Sequence, residues 1–186
     1  MNLGTRAFTN EELIKMFEGF ESKRDSTLFL LGTKTGFRIS ELLSIKVSDL
    51  YGYDYRLKSI LTVSKQKMKG KTASRSIPLS NDTLCALNNY LSTLPTEQVY
   101  LFESREKTKL SRTQAWRNIT QVARKIGLTG KIATHSARKT YAKNVYEKLG
   151  KDLVKTQKAM GHASINSTVA YLQVNMDEIN EAIKSL

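Results

Sequence analysis

"GHASINSTVAYL", residues 161–172, sets one of the chain's two histidines, His162, directly behind a glycine and places Tyr171 nine residues further on. The glycine closes one helix and the apolar spacing after it opens another, so the histidine stands at the turn and the tyrosine on the next helix. Alone, Tyr171 reads as an aromatic packing residue, although the spacing also lets it face a common cleft with His162. The other histidine raises the same choice. In "THSARKTY", residues 134–141, His135 and Arg138 lie three residues apart, which puts imidazole and guanidinium on one helix face. That pair is either a solvated basic face or a grip for an anion.

Outward from these segments the chain reads as short helices around one hairpin. Thr9 with Glu12 forms a capping box, opening a helix whose Leu13, Met16, Phe17 and Phe20 share a face. A second apolar helix covers residues 26–35, and Gly36 separates it from a short helix in "TGFRISELLSI", residues 35–45, carrying Leu42, Leu43 and Ile45. "YGYDY" is a loop. The alternating "SILTVSKQ" reads as a strand, "MKGK" as a turn and "ASRSIPL" as the returning strand, stopped by Pro78. Ser80 caps a helix over residues 81–94, and Ser111 with Gln114 caps another that runs to Gly127. Further helices are predicted over 136–149, 152–160, 166–174 and from Met176 to the end. With no internal repeat and no low-complexity linker, residues 1–186 read as a single domain, mainly α with a small antiparallel β-sheet.

The composition, 40% apolar and 25% charged, is that of a folding globular chain. Thirty Lys and Arg against seventeen Asp and Glu give a net charge of +13, which favours a polyanionic partner such as nucleic acid. The single cysteine, Cys85, excludes an internal disulfide and reads as a helix packing residue; one cysteine with two histidines argues against a structural zinc site. No signal-peptide core and no apolar run of membrane-spanning length is present, so a cytoplasmic protein with no membrane partner is expected.

"TGFRISELL", a basic hairpin, HxxR, GH and a tyrosine nine residues later, in this order, resemble the catalytic domain of the tyrosine recombinases, the phage-integrase superfamily. The resemblance runs from about Thr9 to the carboxyl end and implies a mobile-element enzyme. Its expected activity is to cut and rejoin DNA through a 3′-phosphotyrosine, integrating, excising or inverting a segment without metal or other cofactor. On this resemblance Tyr171 is the nucleophile, and Arg38 and Arg138 grip the scissile phosphate with paired planar hydrogen bonds. Glu41 holds the Arg38 guanidinium or a neighbouring histidine, His135 bonds the phosphate and assists proton transfer, and His162 donates to the same phosphate from the other side. The hairpin "KQKMKGKTASR" carries five basic residues in eleven positions. Lys69 is the expected proton donor to the leaving oxygen, with Lys71 and Lys67 as rivals; Lys65, Lys67, Lys71 and Arg75 are expected to hold the DNA backbone.

The partner implied is double-stranded DNA, with accessory DNA-bending proteins also compatible. In "DEINEAIKSL", Ile179, Ala182, Ile183 and Leu186 form an apolar stripe. Such a helix either packs on its own domain or enters a neighbouring subunit of a tetramer on DNA. Two features depart from the family pattern: the sequence given starts where a catalytic domain usually starts, so either a fragment or a naturally short enzyme without the usual amino-terminal helical domain is expected, and Met160 replaces the leucine common before GH. A DNA-binding regulator on the same scaffold, lacking strand exchange, is the second reading. A basic RNA-binding module is the third, and it accounts for the charge but not for the ordered set.

Overall fold

The computed structural model describes residues 4–64, 74–172 and 184, and these are mainly helical with one small antiparallel sheet. The chain divides into two compact units, Met1–Tyr141 and Ala142–Leu186. Helix α6 (Thr134–Lys148) spans the division.

The first unit opens with α1 (Asn10–Gly19). Its capping box forms as the sequence predicts: Thr9 Oγ1 accepts the Glu12 N–H at 3.2 Å, and Glu12 Oε2 accepts the Thr9 N–H at 2.9 Å. Glu12 also pairs with Arg6 through two bonds of 2.6 Å, which hold its carboxyl below the usual carboxylate range. Helix α2 (Lys23–Thr35) begins three residues earlier than the apolar spacing alone suggests. Its Phe29 lies at the centre of an aromatic cluster, with the rings of Phe8, Phe17 and Phe20 at 5.2, 5.2 and 5.4 Å. Met16, Ile119, Val122, Ala123 and Ala137 complete this core.

A second core lies around Leu31, Phe37, Leu42, Ile45, Leu87, Leu101 and Phe102. It gathers α2, α3 (Ile39–Leu42), a 3₁₀ turn at Val47–Leu50, α4 (Asn81–Leu91), α5 (Arg112–Lys125) and the sheet. Ser80 and Ser111 cap α4 and α5 as expected, accepting the N–H of Thr83 and Gln114. Helix α4 stops at Leu91, short of the predicted residue 94. Cys85 is exposed on α4 rather than packed, because the buried stripe of that helix runs through Thr83, Leu87, Tyr90 and Leu91.

Strands β1 (Ile60–Val63) and β2 (Arg75–Pro78) pair antiparallel, with Leu61 opposite Ile77 and Val63 opposite Arg75. Alternation buries Leu61, Val63, Arg75 and Ile77 and turns Ile60, Thr62, Ser76 and Pro78 outward. The expected hairpin tip lies outside the described residues, as does the expected terminal helix with its apolar stripe.

In the second unit, α7 (Leu153–Met160) is capped by Asp152, whose Oδ1 accepts the Lys155 N–H at 2.9 Å. Helix α8 (Ile165–Leu172) follows after a short turn. Met160 is fully buried, so its thioether fills the position that the family gives to leucine. Among the described residues no helix is long and apolar enough to cross a membrane.

Candidate functional site

Gly36 organises the charged residues of the first unit. It ends α2 in a left-handed conformation, φ 59°, with its N–H on the Gly32 carbonyl at 3.2 Å. The turn sends Phe37 into the core and brings out Arg38 at the start of α3. One helical turn on, Glu41 is only 2% exposed and holds Arg38 twice. Its Oε2 accepts the backbone N–H at 2.8 Å and its Oε1 accepts the guanidinium at 3.0 Å. Of the two partners expected for Glu41, these contacts are with Arg38.

Two more guanidiniums converge on the same turn. Arg138, 1% exposed on α6, donates from Nη1 to the Gly36 carbonyl. Arg75 donates from Nη1 to that same carbonyl at 3.3 Å and from Nη2 to the Thr35 carbonyl at 2.7 Å. Its guanidinium lies over the Phe37 ring, 4.7 Å from the centroid, with the Tyr141 ring at 5.8 Å. Burial pushes the Arg75 pKa down, and Tyr141 and Glu41 oppose that shift.

Arg75, expected among the cations that hold DNA, is 8% exposed and turned inward. The reason is the pleat, since Arg75 faces Val63 across the sheet and shares its side with Ile77.

His135 opens the first turn of α6, with part of its ring covered by protein and the rest exposed. The protein packed about its ring lowers its pKa from the ordinary 6.5, and the neighbouring cations Arg138, Arg38 and Lys139 lower it further. The first unit therefore brings Arg38, Glu41, His135 and Arg138 together, as the sequence leads one to expect, with the imidazole neutral at neutral pH.

The second unit carries the remaining pair. Gly161 takes φ 61° after α7, which lets the His162 N–H reach the Gln157 carbonyl at 3.1 Å and the Gln157 amide reach the His162 carbonyl at 3.1 Å. The His162 ring is thereby held against α8. Its Nδ1 is 2.9 Å from the Oγ1 of Thr168, and its ring centroid is 5.2 Å from that of Tyr171. Thr168 and Tyr171 are one turn apart on α8, so one helix face presents both to the imidazole. Thr168 was not anticipated, although its i+3 relation to Tyr171 is visible in the sequence.

Lys65, Lys67, Lys69 and Lys71 lie outside the described residues. Among the described residues no cluster of three or more His, Cys, Asp or Glu could hold a metal ion.

Comparison with known proteins places these features in a family. The model of the phage integrase family matches residues 6–178. The chain is 34% identical over 184 residues to tyrosine recombinase XerA of Pyrococcus furiosus, covering 96% of this chain and 61% of that protein. It is 29% identical over 180 residues to the probable integrase/recombinase YoeC of Bacillus subtilis, covering 96% and 93%. A crystal structure of XerA recombinase superposes with a TM-score of 0.78 at 23% identity, over 100% of this chain and 66% of that one. XerH site-specific recombinase, crystallised with its palindromic difH substrate after cleavage, gives 0.74 at 25% identity, over 98% and 53%. The chain thus spans about three fifths of the length of its XerA relatives.

Proposed function

Since the chain belongs to the phage integrase family, we propose that it is a site-specific DNA recombinase, which breaks and rejoins double-stranded DNA through a 3′-phosphotyrosine. The observation that carries the reading is the convergence of Arg38, Arg138 and His135. Arg138 is bonded to the carbonyl two residues before Arg38, and both guanidiniums act on the His135 ring.

In this mechanism the Tyr171 oxygen attacks phosphorus, a new oxygen–phosphorus bond forms, and the bond to the 5′ oxygen breaks. The phenol proton passes to a neutral imidazole, for which the lowered pKa suits His135, and the departing 5′ oxygen takes a proton from a hairpin lysine, Lys69 by the sequence. Arg38 and Arg138 neutralise the charge that gathers on the non-bridging oxygens, and His162 donates to the same phosphate. The Arg38 side chain is accessible to a phosphate, whereas Arg138 is 1% exposed. Reversing the steps with another 5′ hydroxyl rejoins the strand, so the bond energy is conserved and no nucleotide is consumed.

Lys65, Lys67 and Lys71 hold the DNA backbone on this reading, and a tetramer on DNA, linked through the carboxyl-terminal helix, completes recombination, aided where needed by DNA-bending proteins. The nucleoid is the matching location. Single-turnover cleavage of a suicide DNA duplex in chelator tests the assignment. Cleavage by the wild type and a loss of about a hundredfold or more in Arg38→Ala and in Arg138→Ala support it, because each removes a charged transition-state contact of about 3 kcal/mol. DNA binding without cleavage would instead support a regulator on this scaffold.

A further inference from the structure

We infer that Thr168 is a positioning residue that sets the tautomer and orientation of His162, an inference that rests on the recombinase reading for its catalytic consequence. The Thr168 side chain is fully buried, with 0% exposure, and its Oγ1 lies 2.9 Å from Nδ1 of His162. A buried hydroxyl must give its hydrogen to an acceptor. Other helical threonines of this chain give theirs to a carbonyl one turn back: Thr35 to Leu31, Thr120 to Trp116, Thr140 to Ser136 and Thr156 to Asp152. Thr168 differs, directing its oxygen at the imidazole.

Were Nδ1–H the donor, the Thr168 hydrogen would need a second acceptor within the packed turn. With Thr168 donating, the requirement is met at once, Nδ1 accepts and the ring hydrogen sits on Nε2. That tautomer makes Nε2–H the ring's donor, as a histidine serving a phosphate oxygen requires. The His162 backbone is held by its two bonds with Gln157, and the ring itself by the hydroxyl of Thr168 and the Tyr171 ring at 5.2 Å. Placing Thr168 and Tyr171 on one face of an eight-residue helix means that the residue orienting the donor and the attacking phenol move as one body.

The chain has only two histidines, so ring-nitrogen NMR of the DNA-free protein reports His162 with a single competing signal, removed in His135→Gln. In the neutral ring the wild type shows the hydrogen on Nε2; Thr168→Val converts this to a mixture, and Thr168→Ser restores it. In the suicide-substrate assay Thr168→Val slows single-turnover cleavage by about tenfold and changes the shape of its pH profile, while DNA affinity stays within about twofold, and Thr168→Ser recovers the rate. A hydrogen on Nδ1 in the wild type overturns the inference whatever the variants do, even if Thr168→Val fails to fold. So does a Thr168→Val protein with unchanged tautomer and rate. If the wild type forms no covalent adduct, the recombinase reading fails while the tautomer measurement still decides the role of Thr168.

Discussion

Glu41 holds Arg38 by backbone and side chain at once, one carboxylate oxygen on the amide at 2.8 Å and the other on the guanidinium at 3.0 Å. A carboxylate can accept both bonds; an amide cannot, because one of its two ends is a donor. Glu41→Gln therefore keeps the shape and loses one of the contacts, with an N–H facing an N–H in a buried place. The expected outcome is a loss of about 1–3 kcal/mol in unfolding free energy and slower cleavage at saturating DNA, measured by denaturant titration and single-turnover kinetics.

Gly36 has no room for a side chain. Its φ of 59° suits glycine, and an added Cβ would overlap the ring of Tyr141. Gly36→Ala must displace that ring or the turn whose carbonyl accepts from Arg75 and Arg138. We expect a lower melting temperature together with a cleavage rate reduced by about tenfold or more, since the same turn sets Arg38.

Arg75 supports this turn from inside, through its bonds to the Gly36 and Thr35 carbonyls. A lysine at this position keeps the charge but cannot span the Thr35 and Gly36 carbonyls with one planar fork. Arg75→Lys should cost about 1–3 kcal/mol of stability while leaving the salt dependence of DNA binding unchanged. Loss of a phosphate contact would instead lower the log–log salt slope by about 0.9, which a binding titration across salt concentrations resolves.

His135 links stability to pH. Its pKa in the folded chain lies below 6.5, the ordinary value, because burial and neighbouring cations disfavour the charged ring. Between the two values the unfolded chain binds more protons, so the stability contributed by the neutral ring is full above pH 6.5 and declines as pH falls toward the folded value. Denaturant unfolding at about pH 5 and about pH 7.5 should show a larger difference for the wild type than for His135→Gln.

Much of this arrangement was legible in the sequence because it is local. The capping box of Thr9 and Glu12, the caps at Ser80 and Ser111, and the break at Gly36 each depend on residues within one turn, and each formed. The His135–Arg138 spacing and the Arg38–Glu41 spacing likewise fix their own geometry. The inward turn of Arg75 is signalled by its i+2 relation to Ile77, since residues two apart on a strand share a face. The meeting of Arg75, Arg138 and Gly36 joins residues 39 and 102 positions apart, and only tertiary packing brings them together. The exposure of Cys85 escaped for a related reason, since which stripe of α4 is buried depends on what α4 packs against.

The central claim concerns one oxygen atom. Wild-type protein, incubated with a suicide duplex in chelator and then digested, can be analysed by mass spectrometry for the residue bearing the DNA. The account requires the 3′ phosphate on Tyr171, and requires Tyr171→Phe to bind the same duplex without becoming attached. Attachment at any other residue, or an undiminished adduct in Tyr171→Phe, would contradict it.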